Sequence, residues 1–143
     1  MKRITWLPVF LAVLLSLAGC GRSAAYKTSI FTLVEENYDT IVTACSTRDI
    51  DALLALEGVT DVRTANGYVL VYCKGAGIAT SSQDYGFYFT EDNIPVGVDC
   101  NLGIVCSIEN MQPVGNGYEG TVDHNTFYTE QIQGNIYYYS NAY

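Results

Sequence analysis

The sequence predicts an α+β fold: an N-terminal long helix plus a short helix packed on a curved antiparallel meander sheet of about seven strands. Three observations carry this. Apolar residues recur at helical spacing only between Ile30 and Leu56. After Gly58 the chain changes to short alternating runs separated by Gly, Asn and Asp turn signals. Ten of the twelve tyrosines lie from Tyr68 onward, and Tyr suits half-buried sheet faces. Helices followed by a run of strands imply segregated layers.

The elements follow in order. Ile30, Phe31, Val34, Tyr38, Ile41, Val42 and Cys45 mark one helix from about Ser29 to Ser46, and Thr32 with Glu35 has capping-box spacing. Ser46, Thr47 and Asp49 offer caps for a shorter helix filled by Ile50, Leu53, Leu54 and Leu56 and stopped at Gly58. Asn66-Gly67 is the strongest hairpin signal; a two-residue turn there sets Ala65 opposite Tyr68 and Val62 opposite Val71. Strands of about Thr60–Ala65 and Tyr68–Lys74 flank it. Gly75 to Gln83 reads as a loop. Tyr85–Thr90 is a strand of aromatics, turned by Glu91-Asp92-Asn93. Ile94–Cys100 and Ile104–Glu109 form a hairpin about Asn101-Leu102-Gly103, with Pro95 placing the first at an edge or an end. Gln112 to Gly117 is a loop. Tyr118–Val122, Thr126–Ile132 and Ile136–Ser140 complete the strands.

Residues 1–19 have the order of an export signal: positive Met1-Lys2-Arg3, an apolar run from Ile4 to Leu17, then small residues. Leu17-Ala18-Gly19-Cys20 resembles a bacterial lipobox, the mark of a lipoprotein precursor. The resemblance implies cleavage before Cys20 and a diacylglyceryl thioether on its sulfur. Two acyl chains hold a protein stably on a membrane where one holds it marginally. The expected location is the bacterial cell membrane or outer membrane, with the domain outside the cytoplasm. Gly21, in place of an aspartate, is compatible with outer-membrane delivery in a Gram-negative cell. Residues 20–27 read as a lipidated tether and 28–143 as a single α+β domain.

Beyond the signal, five Lys and Arg oppose fifteen Asp and Glu, a balance of minus ten, and no Lys or Arg follows Lys74. Such a surface repels nucleic acid and suits a basic protein partner; solubility alone would also explain it. Small acidic lipoproteins that inhibit lysozyme are similar in size, anchor and strand content, although the leading helix here departs from their all-β pattern.

Cys45, Cys73, Cys100 and Cys106 remain after lipidation of Cys20. A symmetric hairpin about Gly103 sets Cys100 opposite Cys106, a candidate disulfide, and Cys45 with Cys73 is a second. No Cys-x-x-Cys spacing and a single histidine, His124, argue against a metal site. Neither a Gly-x-Ser-x-Gly elbow nor a phosphate loop occurs, so no catalytic residue and no cofactor is assigned. Asp84 and Glu91 as a glycosidase pair, or Glu91-Asp92-Asn93 with Asp99 as calcium ligands, rest on spacing that any acidic domain supplies. The candidate binding surface is the long Gly75–Tyr85 loop, with Tyr85, Tyr88, Glu91 and Asp92 beside it. The expected function is an envelope-anchored, non-enzymatic binding module. One form of it inhibits or scavenges a cationic protein such as a cell-wall hydrolase. A small enzyme with Cys73 or Cys106 as nucleophile and His124 as base is the rival of another class.

Overall fold

The structure, a computed structural model, describes residues 23–65, 67–78 and 81–143. The signal and Cys20 lie outside the described residues. Helix α1 covers residues 23–36. Helix α2 follows at Tyr38–Thr47 and α3 at Ile50–Leu54. The single helix expected over Ser29–Ser46 is therefore two segments broken at Asn37. The Asn37 amide nitrogen bonds back to the Leu33 carbonyl at 2.9 Å, competing with the helix ladder. Residues 23–27, expected as tether, are helical instead, because Tyr26 and Lys27 already find partners on the sheet.

Arg48 ends α2 in the left-handed region (φ 57°), and the Asp49 N–H closes the helix end on the Ala44 carbonyl at 2.8 Å. Asp49 then caps α3, its Oδ1 accepting from the Ala52 N–H at 3.0 Å.

The remaining chain forms β1 (Asp61–Ala65), β2 (Tyr68–Ile78), β3 (Ser81–Thr90), β4 (Val96–Asp99), β5 (Gly103–Ser107), β6 (Gln112–Val114), β7 (Gly117–Val122), β8 (Asn125–Gln133) and β9 (Ile136–Ala142). The fold is α+β, with a seven-stranded antiparallel sheet in the order β1-β2-β3-β9-β8-β7-β6. The β1–β2 register is the one the Asn-Gly turn dictates: Ala65 faces Tyr68 and Val62 faces Val71.

Two expectations are corrected. The sheet is not a simple meander: β9 inserts beside β3, and β4–β5 forms a separate two-stranded hairpin. Nor is Gly75–Gln83 a surface loop. Its described residues extend β2 and β3, pairing Gly75 with Asp84 and Gly77 with Ser82 beyond a bulge at Cys73. Gly75 suits this run because the Tyr72 hydroxyl occupies the place a Cβ would take.

Both faces of the central strands are covered. On one, Ile30, Val34, Ile41, Ala44, Cys45 and Leu53 of the helices meet Val69, Val71, Tyr85, Phe87, Phe89, Ile136 and Tyr138. On the other, Val96 and Val98 of β4 pack on Leu70, Tyr88, Tyr137 and Tyr139. Burial on both faces explains the unbroken aromatic runs Phe87-Tyr88-Phe89 and Tyr137-Tyr138-Tyr139. Tyr88 fastens the hairpin: its hydroxyl accepts from the Val96 N–H at 2.9 Å and lies 2.7 Å from the Thr129 hydroxyl.

Candidate functional site

The expected surface of Tyr85, Tyr88, Glu91 and Asp92 divides in two. Tyr85 and Tyr88 are 2% and 0% exposed and belong to the core. They leave the candidate surface because β3 is an interior strand rather than the flank of a loop. Glu91 and Asp92 are exposed in the turn that follows.

That turn is held firmly. Asp92 Oδ1 accepts from the Thr90 hydroxyl and from the Ile94 N–H at 3.2 Å. The Thr90 hydroxyl holds the Asp92 carboxyl below its ordinary value of 3.8. The Glu91 N–H reaches the Gly67 carbonyl and the Thr90 N–H the Asn135 carbonyl, each at 3.0 Å. Three turns, from β1–β2, β3–β4 and β8–β9, are thus laced together at one end of the sheet. Arg48 Nη2 lies 3.7 Å from Glu91 Oε1, both well exposed.

Sequence reasoning did not foresee a second cluster, where the β4–β5 turn meets the sheet. The Cys100 thiol donates to Asp84 Oδ2 at 2.8 Å. Asp99, 3% exposed, accepts the Asn101 and Leu102 N–H groups at 2.7 and 2.8 Å and the Tyr143 hydroxyl at 3.0 Å. Arg63 bridges from Asp61 to the Asn101 carbonyl. Asp61, Arg63, Asp84, Cys100 and Asn101 wall a cleft of about 350 Å³ that also includes Thr60 and Tyr72. Asp99-Cys100-Asn101 is an Asx-turn signal legible in sequence; its meeting with Asp84 is a long-range event.

The cysteine pairings are corrected here. Cys106 lies opposite Gly97, with a register shift between Gly97 and Val98, and Asp99 lies opposite Gly103. Cys100 therefore falls in the turn rather than across from Cys106. Cys45, Cys73, Cys100 and Cys106 are all free thiols. Burial pushes Cys45 and Cys73 up to about 12. Burial and then the hydrogen bond to Asp84 push Cys100 up to about 12. At neutral pH these groups are thiols rather than nucleophilic thiolates. His124 is exposed in the β7–β8 turn with φ 72°, while the Cys106 thiol is buried and turned to the Ser107 carbonyl at 3.5 Å.

A third cluster ties α1 to the sheet. Lys27 forms an ion pair with Glu130 and lies 5.4, 5.5 and 5.7 Å from the ring centres of Phe31, Tyr128 and Tyr138. The Tyr128 hydroxyl donates to Glu130 Oε2 at 2.6 Å.

Charge on the described surface is one-sided. All four described Lys and Arg side chains are engaged: Lys27 with Glu130, Arg48 with Glu91, Arg63 with Asp61, and Lys74 over the Tyr26 ring at 5.0 Å. Glu35, Glu36, Asp39, Asp51, Glu57, Asp92, Glu109, Glu119 and Asp123 are exposed and form none of the ion pairs found among the described residues.

Among the described residues, no group of three or more His, Cys, Asp and Glu side chains is placed to hold a metal ion. Also among them, no helix is long and apolar enough to cross a membrane. No protein-family model, curated protein or solved structure matches the chain.

Proposed function

We propose that this protein is a lipid-anchored binding module of the bacterial envelope whose partner is a basic protein, held at Cys20 and presenting an acidic surface to the space outside the cytoplasm. The observation that carries the reading is the engagement of every described Lys and Arg within the fold, which leaves exposed carboxylates to set the field at the surface. Such a field steers cationic proteins and repels nucleic acid. An inhibitor or scavenger of a cationic cell-wall hydrolase is one form of this module.

The Cys73 thiol held protonated near neutral pH, and the buried Cys106 set against an exposed His124, support binding over Cys-dependent catalysis. The laced turn bearing Glu91 and Asp92 is the part of the expected surface that remains available to a partner. The deciding experiment is capture of envelope proteins on the immobilised mature domain at low and at physiological salt. A basic protein retained at low salt and released as salt rises supports the reading. Recovery of only neutral or acidic proteins, with retention independent of salt, assigns the charge to solubility instead.

A further inference from the structure

The anchor and the start of the fold are separated by very little chain. Helix α1 begins by residue 23, and from Cys20 the intervening backbone spans at most about 11 Å when fully extended. Ser23 lies over one end of the sheet, in a cleft with Gln83, Thr126, Ser140 and Ala142. Gln83 pairs with Ala142, and Ala142 with Thr126, so three adjacent strands reach this end together. The β7–β8 turn at Asp123-His124 and the backbone of Tyr143, whose N–H bonds the Ser82 carbonyl at 3.0 Å, lie there too.

Helix α1 runs from this end toward the opposite one. Tyr26 packs on Tyr85, Phe31 on Tyr138, and the Tyr38 hydroxyl reaches Gly134 in the far turn. Over the same course β3 rises from Gln83 to Thr90, about 24 Å, and ends in the Glu91-Asp92-Asn93 turn.

We infer that the anchored protein rests the Ser23 end of its sheet on the lipid headgroups and stands with the Glu91–Asn93 turn farthest from the bilayer. This rests on lipid attachment at Cys20. A tether this short forbids free tumbling and keeps the Ser23 end of the sheet within about 11 Å of the lipid-bearing residue. The acidic turn is then displayed to partners in the aqueous space rather than pressed against the membrane.

Full-length lipidated protein in nanodiscs of phosphatidylethanolamine and phosphatidylglycerol, doped with a lipid carrying a headgroup nitroxide, tests this by amide relaxation. Amides at 23–26, 82–84, 123–126 and 142–143 should lose most of their intensity, while those of Gly67, Glu91–Asn93 and Asn135 keep nearly all of theirs. Even broadening along the chain, or broadening strongest at Glu91–Asn93, overturns the orientation while leaving the anchor intact. An intact mass without acyl chains removes the anchor itself and the inference with it. A long Gly/Ser insert between Arg22 and Ser23 should level the pattern; an unchanged pattern would show that the short tether is not its cause.

Discussion

Lys27 and Glu130 form an ion pair across 103 residues of sequence, joining the first turns of α1 to β8. Burial alone would raise the Glu130 carboxyl, but the Lys27 ammonium and the Tyr128 hydroxyl outweigh it, so it is held below its ordinary value of 4.5. A depressed folded value means that this stabilisation is fully present above pH 4.5 and is lost as pH falls through the folded value. Lys27→Met should cost about 2 kcal/mol at neutral pH, discounted because Lys27 is partly exposed. It should also make the loss of stability on acidification shallower, because the two lowering contributions of Lys27 are gone while the Tyr128 hydroxyl still offsets burial. Urea titrations of both proteins across pH 3–7 measure the two slopes, and parallel curves would remove the pair from the stability of α1.

Tyr88→Phe should loosen the β4–β5 hairpin. The lost hydroxyl leaves the buried Val96 N–H without its acceptor, at a cost of about 1–3 kcal/mol. Amide exchange at Val96 and Val98 should accelerate more than exchange within β8. A uniform change across both would show that the hairpin and sheet open together.

Cys100 should be unreactive in the native protein and awakened by Asp84→Asn. The Asp84 carboxylate favours the protonated thiol, so its neutral replacement lowers the thiol from its position near 12. Alkylation with peptide mapping near neutral pH should show faster modification at Cys100 in the variant, with Cys45 unchanged. The same mapping of denatured, unreduced protein should find no peptide joining Cys100 to Cys106.

Gly86→Ala should be among the most damaging small substitutions. A Cβ there would overlap the Val71 carbonyl oxygen of the neighbouring strand and lie 2.8 Å from the Tyr139 ring. Overpacking of this kind costs about 1–3 kcal/mol, measurable by thermal melting. Gly67→Ala, with open space around it, meets only the strain of its φ of 76° and should lose less.

Neutralising the outer turn with Glu91→Gln and Asp92→Asn should slow association of a basic partner more than it speeds dissociation, because rim charges act on encounter. At physiological ionic strength the screening length is about 8 Å, so the difference should shrink as salt is added. Association kinetics at two salt concentrations read both effects.

The local devices were legible in the sequence. Asn66-Gly67 set the β1–β2 register, Asp49 capped α3, and the change of period after Gly58 separated helices from strands. What escaped depends on contacts distant in sequence. The insertion of β9 beside β3 joins Phe89 to Ile136, and no local pattern announces it. The one available signal was the unbroken Tyr137-Tyr138-Tyr139 run, which marks a strand covered on both sides. Asn37 hid the helix break because its apolar neighbours keep helical spacing across it. Of the candidate surface, the turn chemistry at Glu91-Asp92-Asn93 was readable. The burial of Tyr85 and Tyr88 was not, because it depends on which elements cover β3.

A sheet sheathed by helices on one side and a hairpin on the other offers a visitor only its rims. Stability is written in the aromatic interior, while recognition is left to the turns and the outer helix faces. Substitutions that redirect what this protein meets can therefore accumulate at those positions without reopening the core. A library confined to the exposed Glu35, Glu36, Asp39, Glu91 and Glu109 should retain the fold while sampling new partners.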